Sequence, residues 1–247
     1  MEGKTIGVLG GMGPLATADL FRKIILMTQA DSDNDHIRVI IDSNVNIPDR
    51  TEAILHHGKD PLPEMMKSAK LLEAAGADVI IMPCNTAHYF IRSLERSVTV
   101  PFLNMISLTA NELRENQIKT AGLLATDGTC KSGLYEKALT AAGIRTLTPE
   151  PGGQERVMQA IYRVKAGKEV PASELWPVVE KLEAGGAEGI ILGCTELPLI
   201  LKPAQMRIPC FDPTAVLAKQ AVLFAGKQIS EKAALFFCRK RRENQVG

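Results

Sequence analysis

Cys84 and Cys194 are the residues with the most chemistry in their surroundings. Each follows a short apolar run and is followed at once by small polar residues, in Pro83-Cys84-Asn85-Thr86 and Gly193-Cys194-Thr195-Glu196. A thiol ordinarily titrates near pH ~8.5, so both of its protonation states are accessible around neutrality. Two thiols facing a carbon centre from opposite sides can remove a proton from one face and deliver one to the other, and they exchange roles in the reverse direction. Inverting an amino-acid Cα in this way is difficult, because its C–H is weakly acidic. Without an electron sink, such a site must stabilise the developing charge electrostatically and exclude water. The polar residues after each thiol suit that task, more so if they open helices, whose N-termini favour anions. The competing reading of both cysteines is that of small buried hydrophobes.

Other reactive side chains are less informative. Cys130, Cys210 and Cys238 lack polar neighbours of this kind and read as packing residues. Five cysteines, an odd count at wide spacings without CxxC, argue against a disulfide framework or a zinc knuckle and for a reducing, cytoplasmic setting. His56 and His57 lack HExxH spacing, so no metal is expected. His88 lies four residues after Cys84 and Glu196 two after Cys194, and both are auxiliary candidates. A net charge of +1 gives no reason to expect nucleic acid or an acidic membrane as partner. Apolar runs stay strand-sized, and no signal peptide is read at the N-terminus. The basic run 239–242 reads as a solvated terminus.

The elements that must carry the thiols alternate in type. Strands are expected at 5–9, 37–42, 79–82, 100–104, 120–124, 145–147, 189–192 and 208–211. Helices are expected at 14–28, 62–75, 86–95, 107–116, 131–142, 154–165, 173–184 and 214–225, the second with Pro61 and Pro63 at its start. This alternation implies an α/β protein with mainly parallel sheets covered by helices. The second half also repeats the first. Lys4-Thr5-Ile6-Gly7-Val8-Leu9 answers Lys119-Thr120-Ala121-Gly122-Leu123-Leu124, residues 72–81 answer 182–191, and Pro101 and Asn104 answer Pro209 and Asp212. In both copies the cysteine follows at the same offset. Parallel sheets bind ligands beyond the C-terminal ends of their strands. Two halves related by a pseudo-dyad would therefore set the thiols across a shared cleft.

At these residues the sequence resembles the aspartate/glutamate racemase superfamily, aspartate racemases and broad-specificity relatives above all. Residues 83–88 and 193–198 look like its two cysteine signatures, and residues 7–14 look like its opening loop. The resemblance implies two pseudo-symmetric Rossmann-like domains with the ligand cleft between them. The first would comprise 1–105 plus 213–247, with the C-terminal helix packed back, and the second 106–212. It implies cofactor-independent racemisation of a small amino acid, most plainly aspartate or glutamate, in a homodimer. By the same resemblance Arg50 grips a side-chain carboxylate with Thr51 beside it, and Lys165 joins it. Met12, Asn44, Asn85, Thr86, Thr126 and Thr195 would hold the α-groups. Cys84 would serve the D-form and Cys194 the L-form. Broad-specificity racemisation, maleate isomerisation and hydantoin racemisation remain open within the fold. A dinucleotide oxidoreductase, from Gly11-Met12-Gly13-Pro14-Leu15-Ala16 and Asp42, and a ligand-binding protein without catalysis are the rivals from other classes.

Overall fold

A computed structural model describes residues 3–237, so Cys238 and the basic run that follows lie outside the described residues. In chain order the strands are β1 (Ile6–Gly10), β2 (Val39–Ser43), β3 (Val79–Ile81), β4 (Thr120–Ala125), β5 (Arg145–Leu147), β6 (Gly189–Gly193) and β7 (Cys210–Phe211). The α-helices are α1 (Pro14–Met27), α2 (Arg50–Leu55), α3 (Leu62–Ala74), α4 (Ile91–Glu95), α5 (Met105–Glu115) and α6 (Asp127–Lys131). They continue as α7 (Leu134–Ala141), α8 (Pro151–Lys165), α9 (Trp176–Ala184), α10 (Leu197–Ile200) and α11 (Pro213–Phe224).

The strands form two parallel sheets, in orders β2-β1-β3 and β5-β4-β6-β7. Their central strands are buried along their whole length and carry apolar residues on both faces, as helix-covered parallel strands must. On one face of the first sheet, Ile6, Val8 and Ile81 pack with Leu20 and Ile24 of α1 and with Ala218 and Val222 of α11. On the other face, Leu9 and Ile80 meet Met65 and Leu72 of α3. The second sheet sets Ile190 and Leu192 against α8 and α9, and Leu123 and Ile191 against α5 and α7. Thus α11 follows the last strand of the second sheet but packs against the first.

The internal repeat has a structural counterpart at the helix starts. Asn104 caps α5 by accepting from the Ile106 and Ser107 amides, and Asp212 caps α11 by accepting from the Thr214 amide. Three expectations are corrected. Residues 100–104 contribute a single bridge, Phe102 to Ile80, and no full strand. Pro101 has no N–H for the ladder, and Asn104 already turns into its capping role. The helix expected at 131–142 starts only at Leu134 as α7, capped by Gly133 at φ +66°, with the separate short α6 ending at Lys131 before it. The helix expected at 86–95 opens with a 3-10 stretch at Thr86–Phe90.

One buried ionic cluster joins the two sheets' surroundings. Lys23 of α1, 2% exposed, places its ammonium 2.5 Å from both Asp19 and Asp212. Burial opposes the charge on each group, but the opposite charges outweigh it. Lys23 is raised above its ordinary 10.5, chiefly by Asp212 and then Asp19. Asp19 is held below its ordinary 3.8 by Lys23, with Arg22 helping. Asp19 therefore contributes stability at pH values above 3.8, which is lost as the pH falls through its lower folded pKa; Lys23 contributes below 10.5, lost as the pH rises through its higher one. Replacing Lys23 with Met leaves two buried carboxylates without their cation. The expected loss is about 3–5 kcal/mol in urea unfolding at neutral pH, shrinking as the buffer is taken below pH 4 and the carboxylates are protonated. A loss that stays constant down to acid pH would contradict this account.

Candidate active site

The thiols sit where the sheet topology puts them. Cys84 lies three residues past the end of β3, and Cys194 follows β6 directly. Both are nearly buried, at 6% and 7% exposure. They line one cavity together with Met12, Asp49, Arg50, Thr51, Asn85, Thr86, Thr126, Lys165, Thr195 and Glu196. It measures about 290 Å3 including its mouth, of which only about 10 Å3 admits the centre of a water molecule. The site is thus closed around its polar groups. A larger open groove, about 1500 Å3 including its mouth, runs beside α8 and α9, but Glu150, Arg156 and Lys181 on its walls bring no nucleophile or buried base together.

Cys194 is built to keep its proton. Its Sγ lies 2.9 Å from Glu196 Oε2 and donates to it. Burial, the adjacent carboxylate and this hydrogen bond push the thiol well above its ordinary 9.0, while Lys165 and the Glu196 amide act in the opposite direction. Glu196 is 4% exposed, and Thr195 Oγ1 reaches the same oxygen at 3.4 Å. Lys165 ends α8 with its ammonium 5.3 Å from the centre of the Tyr162 ring. Desolvation works against its charge, but Cys194, Glu196 and Cys84 outweigh that cost and raise its pKa.

Arg50, expected from the resemblance to grip a carboxylate, is positioned by a short helix that periodicity did not reveal. Asp49 caps α2 through the amides of Thr51 and Glu52, which sets Arg50 and Thr51 at its first two positions. Arg50 is 8% exposed, and its Nη1 donates to the carbonyls of Ile47 and Pro48. Its Nη2 lies 3.5 Å from the Met12 carbonyl, and its Nε has no partner. The edge made by Nε and Nη2 is the one from which a guanidinium holds a carboxylate with two parallel bonds. Thr51 then presses on the other half of the molecule. A Cβ on Gly128 would stand 2.7 Å from Thr51 Oγ1 and 3.0 Å from Thr86 Cγ2, so only glycine permits this approach.

Small polar groups complete the lining. Thr86 Oγ1 lies 2.9 Å from Thr126 Oγ1 and 2.8 Å from Thr129 Oγ1, a buried hydroxyl cluster that spans the two halves. Asn85 is 2% exposed, and its Nδ2 has no partner. Asp49 and Thr129 had not been singled out from the sequence. A capping signal ahead of Arg50 was available for the first, whereas nothing local marks the second.

Two expected residues do not line the cavity. Asn44 is spent on its own turn: its Nδ2 donates to Ser68, its Oδ1 accepts from the Asn46 amide, and its backbone abuts Gly11. Gly11 has φ +87°, and a Cβ there would stand 2.4 Å from the Asn44 carbonyl carbon. The glycine-rich loop therefore closes on protein backbone. His88 is 1% exposed, with Nδ1 2.8 Å from the Cys84 carbonyl and Nε2 accepting from the Met105 amide. Burial takes it down to about 4, partly offset by the Cys84 carbonyl, so the ring is neutral near pH 7. It offers Cys84 no positive charge and acts as a strut between that residue's backbone and α5.

The chain is similar to known proteins along most of its length. The chain is 31% identical over 226 residues to the broad specificity amino-acid racemase RacX of Bacillus subtilis, covering 88% of this chain and 96% of that protein. Its structure matches the Picrophilus torridus aspartate racemase with a TM-score of 0.85 and 34% identity, over 95% of this chain and 99% of the other. Glutamate racemase from Francisella tularensis shares the fold, with a TM-score of 0.67 at 17% identity, over 92% and 83% of the two chains. Residues 9–221 match the Asp/Glu/Hydantoin racemase family along most of their length, and the chain belongs to that family.

Proposed function

We propose that the protein racemises acidic amino acids, aspartate or glutamate, without a cofactor, with Cys84 and Cys194 as the two acid/base groups. The observation that carries this reading is the narrow cavity that both thiols line together with Arg50, whose buried Nε has no partner. A carboxylate on the Nε and Nη2 edge of Arg50, near the Lys165 ammonium, leaves the rest of an amino acid to lie toward the thiols. Asn85, Thr86, Thr126 and Thr195 supply donors for its α-carboxylate, and the Glu196 carboxylate suits its ammonium.

The two thiols have different surroundings, and only Cys194 has a carboxylate on its S–H. With its S–H on Glu196, Cys194 is poised as the acid for the enantiomer whose Cα proton Cys84 removes. The other direction runs back along the same path: Cys194, left as the thiolate, takes the Cα proton while Cys84, now the thiol, protonates the opposite face. Closure around the reacting groups strengthens every electrostatic contact that stabilises the carbanion. The functional units in this reading are residues 1–105 with 213–247, and residues 106–212, each contributing one thiol. The return of α11 to the first sheet supports that division. Similarity to a broad-specificity racemase favours neutral amino acids as the second reading.

The purified protein, incubated in D2O without pyridoxal phosphate, is expected to invert L-aspartate or L-glutamate and incorporate deuterium at Cα. Cys84→Ala and Cys194→Ala should each lose roughly 10²–10⁴ of the racemisation rate. Absence of exchange and inversion with acidic and neutral amino acids alike, in folded and reduced protein, would overturn the reading. Arg50→Ala should raise KM for aspartate or glutamate roughly ten- to a hundredfold, the equivalent of about 1.5–3 kcal/mol for a charge-assisted contact. Equal effects on acidic and neutral substrates would transfer the proposal to the broad-specificity reading. Glu196→Gln removes the carboxylate that raises Cys194, so the pH profile of Cys194 alkylation should move to lower pH. An unmoved profile would remove Glu196 as the partner of the Cys194 S–H.

A further inference from the structure

We propose that Tyr135 is a positioning residue for substrate binding: from the far half of the molecule it fixes the Asn85 amide so that its NH2 group faces the cleft. The inference rests on the racemase reading of the cavity. Tyr135 is in α7 and is fully buried against the second sheet among residues such as Leu139 and Ile191. Its hydroxyl donates to Asn85 Oδ1 at 2.7 Å, across a separation of 50 residues. Asn85 Nδ2 is then left buried and unpartnered in a residue that lines the cavity.

The chemistry of the pair sets the direction. Asn85 Oδ1 can only accept, and the Tyr135 hydroxyl satisfies it. Burial, with Asp212 and Cys194 adding to it, raises the phenol above its ordinary 10.0 against the opposing Thr109 bond, so it is a protonated donor near neutral pH. With the oxygen held, the two N–H donors have only the cleft side left, where they meet the substrate's α-carboxylate. Free rotation about the last Asn85 torsion would otherwise let the amide present its oxygen to that anion. Because the anchor and the amide belong to different halves, the donor is set when the halves are together.

The test is a double-mutant cycle on the complete protein, with steady-state racemisation of L- and D-aspartate, L- and D-glutamate and a neutral amino acid as the readout. Tyr135→Phe keeps the ring and removes only the hydroxyl. It should raise KM in both directions by roughly three- to tenfold, the size of one neutral hydrogen bond, with kcat changed less. Asn85→Ala should raise KM further, and adding Tyr135→Phe to it should have little additional effect, because the amide that the hydroxyl orients is already gone. Asn85→Asp retains the acceptor for Tyr135 but turns an oxygen toward the cleft. It should bind substrate worse than Asn85→Ala, and this variant serves if Tyr135→Phe fails to fold by circular dichroism. An unchanged KM in Tyr135→Phe, additive effects in the cycle, or substrate binding by Asn85→Asp equal to that of Asn85→Ala, in each case with an active wild type, would overturn the inference alone. A wild type that racemises none of these amino acids would overturn the racemase reading and this inference with it.

Discussion

Lys23 is an ammonium shut away from water between two carboxylates, and such a group tolerates little displacement. Separating it from either partner exposes an unpaired charge to a low-dielectric interior. Because Asp19 is on its own helix and Asp212 directly follows the last strand of the second sheet as the cap of α11, the cluster ties α1 to that sheet's edge. At its other end α1 starts beside the cleft. Glu196 Oε1 lies 3.7 Å from where a Cβ on Gly13 would stand, and Met12 lines the cavity one residue earlier. One rigid helix thus spans from the ionic anchor to the carboxylate beside Cys194. The anchor thus adds an ionic tie between α1 and the segment that leaves the second sheet, beside the apolar packing of α1 and α11 on the first.

The cleft itself is assembled by contacts between halves. Thr51 against Gly128, Thr86 with Thr126 and Thr129, and Tyr135 with Asn85 each pair a residue near one thiol with a residue of the other half. These contacts are short and buried, so the Cys84 loop is held by the opposite half as well as by its own strand. His88 supplies the local support for Cys84 through backbone atoms. The support is structural, since burial keeps its ring uncharged.

Much of this was legible because duplication is visible in residue order. The same Gly-and-apolar approach to Cys84 and Cys194 located both strand ends, and the Asn104 and Asp212 correspondence proved to be one capping role used twice. Arg50 was found through its resemblance. Its six-residue helix α2 was not, since so short a segment shows no apolar period and is defined by the Asp49 cap alone. Pro101 and Asn104 interrupted a stretch whose composition reads as a strand. Asn44 and His88 lie near the thiols or the opening loop in sequence, but side-chain direction decides their partners, and that depends on packing. Tyr135 could not be found locally, because the residue it orients is 50 positions away.

The two positions that follow the thiols by two residues differ: Thr86 after Cys84, Glu196 after Cys194. The protein is therefore lopsided at the point where its substrates are mirror images. Enantiomers have equal free energy in water, so the equilibrium a racemase catalyses has a constant of unity, and kcat/KM must be the same in both directions. A carboxylate beside only one thiol cannot favour either product. It can only divide that common ratio differently, making one enantiomer the tightly held, slowly turned substrate and the other the loosely held, rapidly turned one.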